Sequence, residues 1–164
     1  MLKNIFVYLL VITFFNGCLK NSGTTPTCDP SSYDQCALKA PASEIQAVED
    51  YLTSIGVGAT KHCSGLFYTI DVMGTGASPN FCSQISFNYV GKLANGSTFD
   101  SSTKTSTYRL FDLIPGWRAG IPLIKSGGTI HLYIPPTLGY GSAGNGTVPG
   151  NAILNYRIDL VAVQ

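Results

Sequence analysis

Apolar positions recur at helical spacing over one stretch of the chain and at strand spacing over most of the rest. Ile45, Val48 and Leu52, with Ala47 and Tyr51, form one stripe at intervals of three and four, which predicts an amphipathic helix. Ser43-Glu44-Ile45-Gln46 has the capping-box form that opens such a helix, and Gly56 is placed to stop it. From there the period changes to two. Leu66, Tyr68, Ile70 and Val72 alternate with Phe67, Thr69 and Asp71, and Gly and Pro in residues 74–79 break the run. Ile85, Phe87 and Tyr89 alternate with Ser86 and Asn88, and Asn95-Gly96 marks a tight turn. Ile130, Leu132 and Ile134 form another strand. The last runs over 153–163, with Leu154, Tyr156, Ile158 and Leu160 on one face. A short helix is predicted over 116–124, stopped by Pro122. The fold class expected is α+β: a twisted antiparallel β-sheet wrapped on one short helix over 62–164, preceded by an N-terminal helical segment over 42–61.

The start of the chain has a different pattern. Lys3 precedes an apolar run over 5–15. That run is about half the length of a membrane-spanning helix, which needs about 20 residues, and it fits a secretory signal segment. Cys18 follows in Phe15-Asn16-Gly17-Cys18, an arrangement that resembles a bacterial lipobox. The resemblance implies a lipoprotein signal peptide over 1–17, cleavage before Cys18 and a lipid on its thiol. The only membrane contact expected is that anchor. The location expected is the bacterial cell envelope, on the periplasmic side of the outer membrane. Residues 18–41 are polar, with no apolar period, and read as a flexible stalk.

Four cysteines remain once Cys18 is set aside: Cys28, Cys36, Cys63 and Cys82. In an exported protein they are expected to form disulfides. Cys63 and Cys82 stand at the start of two strand runs joined by a Gly/Pro-rich link, so they are expected to pair, leaving Cys28 to pair with Cys36. The spacings are long and irregular, with no C-x-x-C, and His62 beside Cys63 is an isolated hint. No metal site is expected.

Composition narrows the function classes. The 164 residues allow one domain and a leader, and the net charge of +1 gives no electrostatic case for nucleic acid. The two histidines, His62 and His131, are far apart, and His131 falls on the polar face of its strand. No nucleophile elbow, phosphate-binding loop or zinc-ligand spacing occurs. What the chain does hold is a density of aromatics next to turns. Tyr89-Val90-Gly91 is followed by Phe99-Asp100-Ser101-Ser102, then Leu113-Ile114-Pro115-Gly116-Trp117 and Ile134-Pro135-Pro136. Gly139-Tyr140-Gly141 and Val148-Pro149-Gly150-Asn151-Ala152 complete the series.

This ordered series, over residues 64–163, resembles the FK506-binding (FKBP) family of peptidyl-prolyl cis/trans isomerases. The resemblance implies a proline pocket with Trp117 as its floor and Tyr89, Phe99, Tyr108 and Tyr156 as aromatic walls. Leu113 and Ile114 would form the rim, with the Ile114 N–H taking a substrate carbonyl. Tyr140 would donate its hydroxyl to the substrate, Asp100 would sit at the edge held by the Tyr89 hydroxyl, and Val148 would close one side. Trp117, Tyr140 and Asp100 are the catalytic candidates. No cofactor is implied. Proline-containing polypeptide clients are the implied partners, and macrolides of the FK506 type the implied small-molecule ligands. The alternative is a client-binding module that keeps the fold without catalysis. Tyr108 and Tyr156 carry hydroxyls where the family has Phe, and the Gly-rich loop over 142–147 is a shortened flap.

Overall fold

The computed structural model describes residues 28–164. The expected signal peptide, Cys18 and the stalk up to residue 27 lie outside the described residues. The first helix, α1, runs Ala42–Ser54 and buries Ile45, Val48 and Leu52, the stripe that predicted it. Its start departs from the capping-box expectation. Pro41 is the N-cap, and its carbonyl accepts from the Glu44 and Ile45 amides. Gln46 donates instead to Asp50, and Glu44 accepts from the Thr137 amide at 2.8 Å and hydroxyl at 2.7 Å. Two of the residues that suggested a local cap thus serve the exposed helix face and a tie of 93 residues in sequence.

Seven strands follow: β1 Thr60–Lys61, β2 Phe67–Val72, β3 Gln84–Leu93, β4 Thr98–Ser101, β5 Ser106–Arg109, β6 Gly128–Ile134 and β7 Leu154–Val163. The second helix, α2, spans Pro115–Gly120 and passes into a 3-10 turn at Ile121–Leu123, where Pro122 ends the α-helical bonding. The sheet is antiparallel in the order β1-β2-β6-β7-β3-β4, and β5 pairs with the first half of β3.

Alternation along the strands decides what each face covers. Ile130, Leu132 and Ile134 of β6 are buried on the face where α2 lies. The approach is close: a Cβ on Gly116 would meet Ile134 at 2.6 Å, and one on Gly120 would meet Leu132 at 2.5 Å. These glycines, four apart on one helix face, let the α2 backbone rest on β6. Tyr133 points the other way and meets Tyr51 of α1, with ring centroids 6.4 Å apart. Helices therefore cover both faces of the sheet at its β2–β6 end.

Two expectations about the N-terminal part are corrected. Cys63 does not pair with Cys82. Cys28 is bonded to Cys82 and Cys36 to Cys63, with Cα separations of 5.6 and 5.4 Å. The reason is topological. Cys63 precedes β2 and Cys82 precedes β3, but β6 and β7 lie between those strands. Strands spaced about 4.8 Å apart put such positions at least about 14 Å from each other, beyond the reach of a disulfide. The second correction follows from the first. Residues 28–41 do not hang free as a stalk: two bridges staple them to the domain, Tyr33 stacks on Phe81 at 4.0 Å, and Ala40 is buried.

Candidate active site

The inward face of β3 carries Ile85, Phe87, Tyr89 and Gly91 in alternation, and β7 brings Tyr156 opposite Gly91. The missing side chain at Gly91 makes room. A Cβ there would lie 2.7 Å from both the Phe99 and Tyr156 rings. Trp117, in the first turn of α2, enters this space from the helix side and is 4% exposed. Three rings meet it edge-on: Phe87 at 4.9 Å, Tyr156 at 5.0 Å and Tyr89 at 5.4 Å between centroids. Edge-to-face contacts of this kind add about 0.5–1.5 kcal/mol each beyond area burial, so the Trp117 orientation is strongly fixed.

Above Trp117 opens a cleft of about 190 Å³, lined by Phe87, Tyr89, Asp100, Ser106, Tyr108, Leu113, Ile114, Trp117, Tyr140 and Tyr156. Eight of the ten residues assigned to the pocket from the sequence line it. Phe99 and Val148 do not. Phe99 stands behind Tyr156, edge-on at 5.5 Å, and buttresses it. Val148 is buried under the 142–147 loop. Both line a separate recess that shares Asp100 and Tyr140 with the cleft. Two lining residues were missed. Phe87 was legible, since it sits two residues before Tyr89 on the same strand face. Ser106 opens β5, and no sequence pattern singles it out.

The polar groups are few and placed at the rim. The Tyr89 hydroxyl donates to Asp100 Oδ2 at 2.7 Å. Tyr156 is 3% exposed, and burial, reinforced by the neighbouring Tyr140 hydroxyl, raises its pKa far above the ordinary tyrosine value. Burial first, then the bond to Asp100, raises that of Tyr89 likewise. Both hydroxyls are therefore neutral donors across the physiological range. Tyr108 is 54% exposed, so water satisfies the hydroxyl it carries. Ile114 is the N-cap of α2. Its carbonyl accepts from the Trp117 and Arg118 amides, while its own N–H has no acceptor among the described residues. That amide is free to donate at the cleft rim.

The loop beside the site, over 142–147, lines the separate recess and is held largely by its own backbone. Asn145 and Val148 exchange both amide bonds at 2.9 Å, and the Thr147 hydroxyl donates to the Phe99 carbonyl. Gly141, Gly144 and Gly146 take positive φ, which gives this short segment its tight path.

The arrangement defines an apolar, aromatic-walled cleft with uncharged donors at its rim. Residues 76–161 match the family model described as FKBP-type peptidyl-prolyl cis-trans isomerase. The chain belongs to that family. It is 37% identical over 123 residues to the FKBP-type peptidyl-prolyl cis-trans isomerase FkpA of Aeromonas hydrophila, a match covering 71% of this chain and 45% of that protein. The chain thus spans about half the length of the curated relatives it matches. The crystal structure of FkpA from Escherichia coli superposes with a TM-score of 0.68 at 34% identity, covering 75% of this chain and 60% of that one. A peptidyl-prolyl cis-trans isomerase from Pseudomonas syringae pv. tomato superposes with a TM-score of 0.66 at 28% identity, covering 77% of this chain and 98% of that one.

Proposed function

We propose that this chain is a peptidyl-prolyl cis/trans isomerase acting on X–Pro bonds of exported polypeptides. The observation that carries the reading is the cleft itself: Trp117 as an edge-braced floor, aromatic walls, and rim donors at Tyr140 and Ile114. Isomerisation makes and breaks no covalent bond. Its barrier, about 18–20 kcal/mol, is the loss of amide resonance as the bond twists. Unaided, the step takes tens to hundreds of seconds.

The planar amide is more dipolar than the twisted one. An apolar box therefore disfavours the ground state more than the transition state, which is the differential binding that speeds a reaction. Trp117, Tyr156 and Phe87 hold the proline ring. The Ile114 N–H takes a flanking carbonyl and the Tyr140 hydroxyl a second, so one side of the bond stays fixed while the other turns. Asp100, anchored by Tyr89, sets the electrostatics at the cleft edge. Macrolides of the FK506 type are proposed to occupy the same cleft. The test is a protease-free exchange assay on a proline tetrapeptide. Turnover inhibited by FK506 is the expected result. Binding without turnover would make the chain a client-binding module.

The same proposal covers location. The apolar 5–15 segment and Cys18 support export and lipid anchoring in the cell envelope, on the periplasmic side of the outer membrane. Two disulfides suit an oxidising compartment and support it further. A Cys18→Ser chain is expected to leave the membrane fraction or to stay unprocessed. Retention in the membrane at the wild-type mass would refute the anchor.

A further inference from the structure

The stapled N-terminal segment forms a second recess beside the cleft. Residues 28 and 36 are both cross-linked, so the chain between them is fixed at its two ends. Within it, Tyr33 is clamped flat on Phe81, whose ring meets Phe111 at 6.0 Å. The segment faces α2 and encloses a space of about 240 Å³ with Tyr33, Asp34, Leu38, Pro115 and Arg118 on its walls.

The recess and the cleft are walled by neighbouring residues of one stretch of chain. Ile114 and Trp117 line one, and their immediate neighbours Pro115 and Arg118 line the other.

Arg118 gives the recess its chemistry. Its Nε is buried and has no hydrogen-bond partner, and it forms no ion pair among the described residues. The buried Nε is out of a ligand's reach, so the terminal amino groups are the part of the guanidinium that would meet a carboxylate, in a two-point contact. Asp34 shares the wall but does not fill this role. One of its carboxylate oxygens accepts from the Cys36 amide at 2.8 Å, and it lies beyond ion-pair distance of Arg118. Leu38, 46% exposed, and the Tyr33 ring supply apolar surface for the stem of an incoming side chain.

We propose that this recess is a specificity subsite that takes an acidic side chain of the client on one flank of the proline, with Arg118 as its recognition group. The proposal rests on the isomerase reading for the placement of the proline. The contact is remote from the twisting bond, so it strengthens ground and transition states alike and appears in KM.

The test uses the intact disulfide-bonded protein and pairs of proline peptides that differ only by Glu against Gln, scanned over successive positions on both sides of the proline. At one flank the Glu peptide is expected to show a kcat/KM about 3- to 10-fold higher, a range set by a partly exposed charge-assisted bond. The difference should lie mainly in KM and fade as salt is raised to about 1 M. Arg118→Gln is expected to bring the ratio to about one, Arg118→Lys to restore part of it, and Asp34→Asn to enlarge it. No Glu preference at any position, or one that survives in Arg118→Gln, overturns the subsite. If Arg118→Gln does not fold, the salt dependence of the wild type and the direction of the Asp34→Asn change decide the matter. If no peptide is turned over, the isomerase reading fails on its own. Affinities of the same peptide pairs, read from the fluorescence of the single tryptophan, then test the subsite: a Glu preference supports it and equal affinities overturn it.

Discussion

Tyr89 and Asp100 are joined by a 2.7 Å hydrogen bond between neighbouring strands, with the Tyr89 ring inside the cleft and the Asp100 carboxylate at its exposed edge. β4 pairs with β3 so that Asp100 sits opposite Gly91, two residues beyond Tyr89, which brings the carboxylate diagonally onto the tyrosine hydroxyl. The bond therefore orients a wall of the pocket and a charge at its mouth together. Tyr89→Phe and Asp100→Asn are each expected to lower kcat/KM by about 3- to 10-fold, from a hydrogen bond of about 1 kcal/mol and the pocket distortion that follows. In a double-mutant cycle the second change should add little to the first. Full additivity would mean that the two residues act separately.

The disulfide topology gives a second prediction. Peptide mapping of the oxidised protein should recover Cys28 linked to Cys82 and Cys36 linked to Cys63. The pairs are separated by 54 and 27 residues. On the chain-entropy account, loops of that size stabilise by about 4 and 3.5 kcal/mol. The smaller loop lies inside the larger, so the two together contribute less than the sum. Reduction should lower Tm by on the order of 10–20 °C, and Cys28→Ser/Cys82→Ser should account for much of the loss.

How legible this was from the sequence depends on the range of each interaction. The α1 stripe, the strand alternation at Ile85, Phe87 and Tyr89, and the stop at Pro122 are local patterns, and the structure contains them as expected. The motif series placed Trp117, Tyr89, Tyr140 and Asp100 around one cleft because their strands and helix follow a known order. Cysteine pairing is different. It depends on which strands are neighbours, and the insertion of β6 and β7 between β2 and β3 is not written near any cysteine. Polar composition made residues 28–41 look like free chain, since a segment held by two bonds and one stacked ring needs no apolar period. Glu44 shows the same limit: its partner Thr137 lies across the fold, so its sequence neighbourhood suggested a cap.

Alkaline pH should act on stability before it acts on the pocket. Burial raises the Tyr156 and Tyr89 hydroxyls above the unfolded tyrosine value of about 10, so the folded state favours their neutral forms. A group with a raised folded pKa contributes stability that is complete below its unfolded pKa and is lost as pH rises beyond it. Tm should therefore hold with respect to these groups up to about pH 10 and fall above it. The fall should be shallower in Tyr156→Phe. Tyrosinate absorbance should show Tyr89 and Tyr156 ionising only as the protein unfolds. Ionisation of every tyrosine before unfolding would contradict the burial argument.

The pocket variants separate catalysis from packing. Tyr140→Phe keeps the ring and removes only the hydroxyl, so the loss is one neutral hydrogen bond of about 0.5–1.5 kcal/mol, or roughly 2- to 13-fold in kcat/KM. Tm should fall only slightly, because Tyr140 is half-buried at the cleft rim, the small loss coming from the buried Tyr156 hydroxyl beside it. Trp117 is braced by Phe87, Tyr89 and Tyr156 and is 4% exposed, so Trp117→Ala would empty the floor and cost about 3–5 kcal/mol of stability. Trp117→Leu keeps apolar bulk but loses the flat surface for the proline ring. It is expected to lower kcat/KM by more than tenfold while Tm falls only modestly, since three edge contacts of about 1 kcal/mol are lost but the cavity is partly filled. Turnover and thermal unfolding measured on the same preparations decide between the roles. If the activity of Trp117→Leu falls only in proportion to its folded fraction, and Tyr140→Phe turns over like the wild type, then both residues are packing elements and the cleft is not the catalytic site.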